Sequence, residues 1–258
     1  MSLAFTEKGS KQHPTLILIH AFPVNQSMWK KQVEGLADAF RVVTLDMPGF
    51  GQSPRLHGTP SLTLYVQEIL ETIGSLNIGQ AIFGGCSMGG YIVFQLYKEH
   101  PHRFKGMLLC DTKATADSEE ARQNRYNAIQ MVQDHGLNSL ADGMLPKLMG
   151  TTTHQTNPEL VQTLHNCILT NTPEGVCQAQ EAMAKRDDFT PLLATITVPT
   201  LIVNGEEDEF TPPSLAQEMQ ILIPNAQLAI IPQAGHLAAW ERPQETNQEI
   251  RAFFAGIQ

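Results

Sequence analysis

The sequence lacks any long hydrophobic run, and its longest apolar stretches, such as residues 16–19 and 91–94, span about four residues. A transmembrane helix needs roughly 18 or more, so a membrane-spanning protein is excluded. Basic residues are also few, because 17 lysines and arginines face 26 aspartates and glutamates, and the net charge is −9. This balance disfavours binding to nucleic-acid phosphates or to anionic lipid.

Cysteine is scarce, and no targeting segment is evident. The four cysteines are Cys86, Cys110, Cys167 and Cys177, and no two of them have CxxC spacing. We therefore expect free thiols in a reducing compartment. Residues 1–5 do not show the basic start and apolar stretch of a secretory signal, so the sequence predicts a cytoplasmic protein.

What the sequence does contain is typical of an α/β protein. Its 258 residues, 42% of them hydrophobic and 17% charged, can bury a substantial core. Six short apolar runs rich in Val, Ile and Leu suit strands that are buried on both faces of a parallel sheet. They are residues 15–20, 41–46, 81–84, 106–111, 200–204 and 227–231.

Segments with helical periodicity separate several of these runs, as in residues 29–40 and 61–76, and residues 243–257 suit a closing helix. The alternation predicts a doubly wound, mostly parallel sheet. It stops within residues 112–190, where only helical patterns occur: residues 118–135, 137–148, 158–170 and 173–185. We therefore predict a core domain made of residues 1–111 and 191–258, interrupted by an inserted helical cap of residues 112–190.

The strongest local signal is GCSMGG at residues 85–90, which follows a predicted strand and precedes a helical pattern. A strand that turns abruptly into a helix holds the middle residue in a strained conformation and crowds its neighbours. Gly85 and Gly89 supply the room, and Ser87 is left at the carboxyl end of the sheet. The helix start behind it offers N–H groups and a positive dipole end to an oxyanion. We predict that Ser87 is a nucleophile.

A serine nucleophile needs a base, usually His, and a carboxylate that fixes the tautomer of that base. Among nine histidines, His236 is favoured because it follows the last predicted strand, which would deliver it to the carboxyl edge of the sheet. His20 also ends a strand and is the one serious rival. The candidates for the acid are carboxylates at strand ends, namely Glu206, Glu207, Asp208 and Asp111.

The order of these motifs resembles the α/β-hydrolase superfamily, in its branch of serine esterases, enol-lactonases and cofactor-free haloperoxidase-like enzymes. The similarity runs along nearly the whole chain. Residues 20–23 (HAFP) resemble the oxyanion loop, residues 46–53 (DMPGFGQS) a structural turn, residues 205–212 the acid loop, and residues 235–236 the base loop. Ala21 departs from the more common glycine. Only residues 3–8 precede the first central strand, so we expect the family's outermost strand to be absent.

The resemblance implies the chain order nucleophile, acid, base, and it selects Asp208 as the acid. It further implies that the backbone N–H groups of Phe22 and Met88 form the oxyanion hole, with His20 orienting that loop. The implied activity is hydrolysis of a small carboxylic ester or lactone, with no cofactor and no metal. Serine rather than aspartate at position 87 argues against haloalkane dehalogenase and epoxide hydrolase chemistry.

Other activities of this fold stay open: hydrolysis of a carbon–carbon bond, lyase or perhydrolase chemistry, or a small-molecule receptor with slow turnover. We expect Cys86 to be a packing residue beside the nucleophile. We also expect the apolar side chains of the cap to pack against the sheet, and some of them to line the substrate pocket. They include Met131, Met144, Leu145, Leu148, Met149 and Met183.

Overall fold

The central sheet forms where the sequence has its apolar runs. The computed structural model describes residues 2–257. Within them, seven strands make one sheet: β1 (Phe5–Lys8), β2 (Thr15–Ile19), β3 (Arg41–Leu45), β4 (Ala81–Cys86), β5 (Phe104–Cys110), β6 (Thr200–Gly205) and β7 (Ala226–Ile231). Their order is β1-β3-β2-β4-β5-β6-β7, and only β1 runs antiparallel to its neighbour. The predicted class, an α/β fold with a mostly parallel sheet, is confirmed.

Helices cover both faces of this sheet and fill the long interval between β5 and β6. Those of the described residues are α1 (Lys30–Leu36), α2 (Leu62–Ser75), α3 (Met88–Glu99), α4 (Glu119–Leu148), α5 (Thr151–Thr156), α6 (Pro158–Leu169), α7 (Pro173–Ala184), α8 (Thr190–Leu193), α9 (Pro213–Leu222), α10 (Ala238–Glu241) and α11 (Pro243–Phe254). None of these helices has the length and apolar character needed to cross a membrane.

The continuous apolar runs are explained by burial on both sides of the sheet. Successive side chains of a strand point to opposite faces. In β2, Leu16 and Leu18 join the cluster that contains α1 and α11, whereas Ile17 and Ile19 join the cluster of α2 and α3. Both faces are therefore core, and this leaves the carboxyl ends of the strands as the open edge where polar side chains can gather.

The helical interval between β5 and β6 contains α4 to α7, as its sequence pattern predicts. Gly136, with φ 76° and ψ −175°, breaks α4 between the two helices expected there. Pro158 and Pro173 occupy first turns, where the missing N–H costs nothing. These helices reach the pocket described below. The division into a core domain and a cap stays a prediction.

The edge strand β1 is the one strand that the sequence analysis did not identify. Its residues, FTEK, are mostly exposed, so no apolar run marks it. Phe5 pairs with Leu45 and Lys8 with Val42. The short segment before the first central strand thus contributes one antiparallel edge strand to the sheet.

Close packing of α3 on β2 predicts opposite effects for two glycine substitutions. A Cβ on Gly89 would lie 2.3 Å from the carbonyl oxygen of Ile19, whereas a Cβ on Gly74 in α2 would meet nothing within 4 Å. We expect Gly89→Ala to lower the free energy of unfolding by about 1–3 kcal/mol. Gly74→Ala should raise it by up to about 1 kcal/mol, because alanine favours helix. Urea unfolding of both variants measures this, and equal effects would contradict the packing described.

Candidate active site

Ser87 occupies a strained turn between β4 and α3. Its φ of 51° and ψ of −110° lie in a region that residues with a side chain rarely adopt. The turn closes because two glycines leave room for backbone. A Cβ on Gly85 would lie 2.2 Å from the backbone of Gly89. The predicted role of these two glycines as space-makers therefore agrees with the geometry.

The residue that holds this turn from outside is Thr112, which the sequence analysis did not single out. Its hydroxyl donates a hydrogen bond to the carbonyl oxygen of Ser87 at 2.9 Å. The same side chain packs so closely on Gly90 that a Cβ there would lie 2.4 Å from Oγ1. Thr112 follows β5 by two residues, so its place at the carboxyl edge of the sheet was the available signal.

The structure brings Ser87, His236 and Asp208 into one hydrogen-bonded line. The distance from His236 Nε2 to Ser87 Oγ is 2.8 Å, and His236 Nδ1 lies 2.9 Å from both carboxylate oxygens of Asp208. His236 and Asp208 are each 3% exposed, so the line is shielded from water beyond the serine. A line of this kind has the geometry that a nucleophile, a base and an orienting acid require.

The carboxylate of Asp208 is held in its ionised form by its neighbours. It accepts hydrogen bonds from the backbone N–H groups of Phe210 at 2.8 Å and Thr211 at 2.9 Å, and from the Thr211 hydroxyl. Burial opposes ionisation, but the charge of His236 and these hydrogen bonds outweigh it and hold the pKa of Asp208 below its ordinary value. An ionised acid is what a protonated imidazole needs beside it.

Asp111, the alternative acid, serves another purpose. It is fully buried, and its oxygens accept hydrogen bonds from the backbone N–H groups of Gly205 at 2.8 Å and Ala238 at 3.0 Å. Burial, together with the nearby charge of Asp208, raises the pKa of Asp111 well above its ordinary value. The geometry thus separates the two aspartates: one faces the imidazole, and the other ties the loops that carry the acid and the base.

Three acidic side chains hold the loop that carries His236 through hydrogen bonds. Each accepts a backbone N–H of this loop: Glu206 from Gln233 at 3.1 Å, Glu241 from Gly235 at 2.8 Å, and Asp111 from Ala238 at 3.0 Å. Glu241 also accepts the N–H of Gly150, so it joins the base loop to the start of α5. Sequence reasoning missed Glu241, because nothing in its local sequence indicates a buried carboxylate.

Glu207 is one of the candidates for the acid, but its side chain binds the start of α5 instead. Its carboxylate accepts the backbone N–H of Thr152 at 2.9 Å and the hydroxyl of the same residue. The residue before α5 is Gly150, which has no side chain to cap the helix. Glu207 therefore acts as the capping acceptor from a different loop, one residue before Asp208.

His20 is a buried neutral histidine. Its Nε2 accepts the backbone N–H of Met47 at 2.9 Å, so the ring proton must lie on Nδ1, which donates to the carbonyl oxygen of Ala21 at 2.8 Å. Burial lowers the pKa of His20. With both nitrogens engaged inside the protein, His20 is not available as a base. It ties the loop of residues 20–23 to residue 47.

The two predicted oxyanion donors, Met88 and Phe22, both lie near Ser87 in the fold. Met88 is the first residue of α3, where a backbone N–H has no acceptor within the helix. Phe22 lines the same pocket as Ser87 and His236. Their assignment as the oxyanion hole stays a prediction.

Cys86 directly precedes Ser87 but faces the interior. It is fully buried, and burial together with the charge of Asp111 raises the pKa of its thiol well above the ordinary value. A thiol in this environment resists forming the reactive thiolate. No group of three His, Cys, Asp or Glu side chains within residues 2–257 is arranged to hold a metal ion.

A pocket of about 560 Å³ opens onto Ser87. Phe22, Tyr91 and Phe210 line it from the sheet side. From the helical interval it receives three of the methionines that we expected between cap and sheet, Met131, Met144 and Met183. The surface of this pocket is therefore largely apolar, which suits an organic acyl or alcohol group.

One part of this wall carries buried charge. Asp117 accepts hydrogen bonds from Arg125 and lies 2.8 Å from Nη2 of Arg186. Burial alone would raise the pKa of Asp117, but the two guanidinium groups lower it to about 2. Arg186 also lies 4.2 Å from the centre of the Tyr91 ring, a cation–π contact.

Comparison with known proteins agrees with this geometry. The family model of the alpha/beta hydrolase fold matches residues 14–243. The chain is 27% identical over 252 residues to 3-oxoadipate enol-lactonase 2 of Acinetobacter baylyi, covering 98% of this chain and 92% of the relative. A thermophilic esterase from Thermogutta terrifontis, solved with malate bound, superimposes with a TM-score of 0.95 at 36% identity, over 98% of this chain and 93% of that one. The enol-lactonase from Burkholderia xenovorans LB400 superimposes with a TM-score of 0.90 at 26% identity, over 98% of this chain and 96% of that one.

The capping of α5 by Glu207 predicts that substitutions of Glu207 and of Glu209, two residues apart, change stability differently. Both carboxylate oxygens of Glu207 accept from Thr152, and Glu207→Gln replaces one of them by an NH2 group that cannot accept, so it should lower the free energy of unfolding by about 1 kcal/mol. Glu209→Gln removes only an exposed ion pair with Lys147 and should change it by no more than about 0.5 kcal/mol. Urea unfolding gives the energies, and faster amide exchange in residues 150–156 should accompany Glu207→Gln alone.

The charge cluster predicts an acid-dependent loss of stability. Asp117→Asn leaves the fully buried side chain of Arg186 without its carboxylate, which should cost about 3–5 kcal/mol at neutral pH. Because the folded-state pKa of Asp117 is about 2, below its unfolded value, its contribution is complete above about pH 4 and is lost as the pH falls toward 2. Urea unfolding of both proteins from pH 7 to pH 3 tests this, and a gap that does not narrow in acid contradicts it.

Proposed function

Because the chain belongs to the α/β-hydrolase family, we propose that it cleaves a small carboxylic ester or lactone through an acyl-enzyme intermediate. Ser87 is the nucleophile, His236 the general base and then acid, and Asp208 the orienting carboxylate. The observation that carries this proposal is the short line from Ser87 Oγ through the imidazole to Asp208, with distances of 2.8 and 2.9 Å. Relatives named as enol-lactonases and as an esterase support the same reaction class.

Attack on the carbonyl carbon begins the reaction. As the Ser87 Oγ forms a bond to the carbonyl carbon, its proton moves to His236 Nε2, which lies 2.8 Å away. The imidazole becomes positively charged, and the adjacent ionised Asp208 stabilises that charge. Because Asp208 binds Nδ1, the free electron pair of the neutral ring is on Nε2, facing the serine.

The negative charge that develops on the substrate oxygen needs donors that are already in place. The backbone N–H groups of Phe22 and Met88 supply them in this proposal, assisted by the positive end of α3. Backbone donors at a helix start need no reorganisation during the reaction. Removing one such donor typically costs on the order of 10²–10³ in rate.

Collapse of the tetrahedral intermediate releases the alcohol. His236 returns the proton from Nε2 to the leaving oxygen, and the acyl group stays on Ser87. From a lactone, the leaving hydroxyl remains tethered to that acyl group. Water then repeats the sequence, with His236 taking the proton of water and giving it back to Ser87.

Two substitutions in the turn between β4 and α3 test the assignment of Ser87 as the nucleophile. Ser87→Ala should reduce kcat for a short-chain p-nitrophenyl ester by on the order of 10⁴–10⁶-fold. Cys86→Ser changes the adjacent thiol conservatively and should keep turnover within about tenfold, because the buried thiol takes no part. Circular dichroism and thermal melting check that both variants fold.

Retained turnover in Ser87→Ala would overturn the nucleophile assignment, and so would loss of turnover in a folded Cys86→Ser protein. A serine-directed fluorophosphonate adds a second readout. It should label wild type and Cys86→Ser but not Ser87→Ala. Labelling of the wild type without turnover of any ester would instead favour a receptor of the same fold.

A further inference from the structure

Lys113 is a cation without a partner inside the candidate active-site pocket. It lines the pocket together with Ser87 and His236, and its side chain is half-buried. It directly follows Thr112, whose hydroxyl binds the Ser87 carbonyl, so its backbone is anchored close to the nucleophile. Within residues 2–257, no carboxylate forms an ion pair with its ammonium and no acceptor forms a hydrogen bond with it.

The one nearby carboxylate, Asp117, offsets the charge of Lys113 only in part, because Arg186 and Arg125 act against it. Asp117 is the one acidic side chain among the residues that line this pocket. Both of its oxygens are already engaged by two arginines, Arg125 and Arg186. Three cations therefore share one anion, an excess of two positive charges in a chain whose net charge is −9.

The two arginines are fixed in place, which leaves Lys113 as the free donor. Arg125 also binds the side-chain oxygen of Gln180 at 2.9 Å, and Arg186 donates to the carbonyl oxygens of Met183 at 3.0 Å and Thr115 at 2.9 Å. Lys113 has three N–H donors and makes none of these contacts. Burial, and then the charge of Arg186, lowers the pKa of Lys113, because both disfavour the charged form of its side chain. An anion bound at this point would stabilise that charged form.

We propose that Lys113 is a specificity residue that binds a carboxylate of the substrate, so that the natural ester or lactone carries a second, anionic group. The proposal rests on the proposed function of the same pocket. One unpaired ammonium balances one monoanion, and its flexible stem tolerates several positions of the carboxylate. The apolar remainder of the wall, with Phe22, Met144 and Phe210, holds the carbon chain between the carboxylate and the scissile bond.

The test compares two substrates that differ in one charge. Monomethyl glutarate carries a carboxylate, and methyl glutaramate replaces it with a neutral amide of the same shape. We expect the wild type to prefer the glutarate ester in kcat/KM. Lys113→Gln should lower this preference by about 10- to 100-fold, as expected for losing a hydrogen bond to a charged group. Lys113→Arg should retain much of it. Methanol release measures both rates.

The matched control is Lys147→Gln. Lys147 is exposed and pairs with Glu209, next to the pocket residue Phe210, so it reports the effect of removing any positive charge near the entrance. For this variant, the ratio of kcat/KM for monomethyl glutarate to kcat/KM for methyl glutaramate should remain that of the wild type. Inhibition of methyl glutaramate hydrolysis by glutarate gives a binding readout, and Lys113→Gln should raise the inhibition constant by a similar factor.

Three results would overturn the proposal: a wild type with no preference for the anionic ester, a Lys113→Gln protein with an unchanged ratio, or a Lys147→Gln protein with an equal loss. Failure of the proposed function would look different. In that case the wild type would hydrolyse neither ester faster than Ser87→Ala does.

Discussion

The close approach of backbone to backbone at the turn of residues 85–89 is the constraint from which the rest of the site follows. Ser87 can keep its positive φ only because Gly85 and Gly89 let β4 and α3 meet with no side chain between them. Gly89, in α3, also lies against the carbonyl oxygen of Ile19, and this contact joins the turn to β2. A parallel sheet then places the ends of the neighbouring strands, and the loops that follow them, around one serine.

Carboxylates hold those loops, and their surroundings divide them by role. Asp208 receives three hydrogen bonds and faces an imidazole, so its pKa is lowered and it stays charged. Asp111 and Glu241 are buried among backbone N–H groups, and burial raises the pKa of both. The acidic composition of the chain is therefore partly structural: these side chains satisfy backbone donors that irregular loops would otherwise leave unpaired.

Local sequence patterns made much of the sheet and of the candidate site predictable. Six strands followed from apolar runs. The grouping of Ser87, His236 and Asp208 at one edge of the sheet followed from their places after strands and from a family resemblance, and their catalytic roles stay a prediction. The features that were missed have no local pattern. The edge strand β1 is exposed. Glu207 meets Thr152 across 55 residues of sequence, and Glu241 meets Gly150 across 91. The isolation of Lys113 depends on Arg125 of α4 and on Arg186 of the loop after α7, so only the folded chain reveals it.

The central claim is that Ser87 carries the acyl group during turnover. Acid quenching of the wild type during steady-state hydrolysis of p-nitrophenyl butyrate, followed by tandem mass spectrometry of the peptide that contains residues 85–90, tests it most directly. The account predicts one butyryl group on the hydroxyl of Ser87, absent from Ser87→Ala. A butyryl group on Cys86, or full turnover with no acylated peptide, would contradict it.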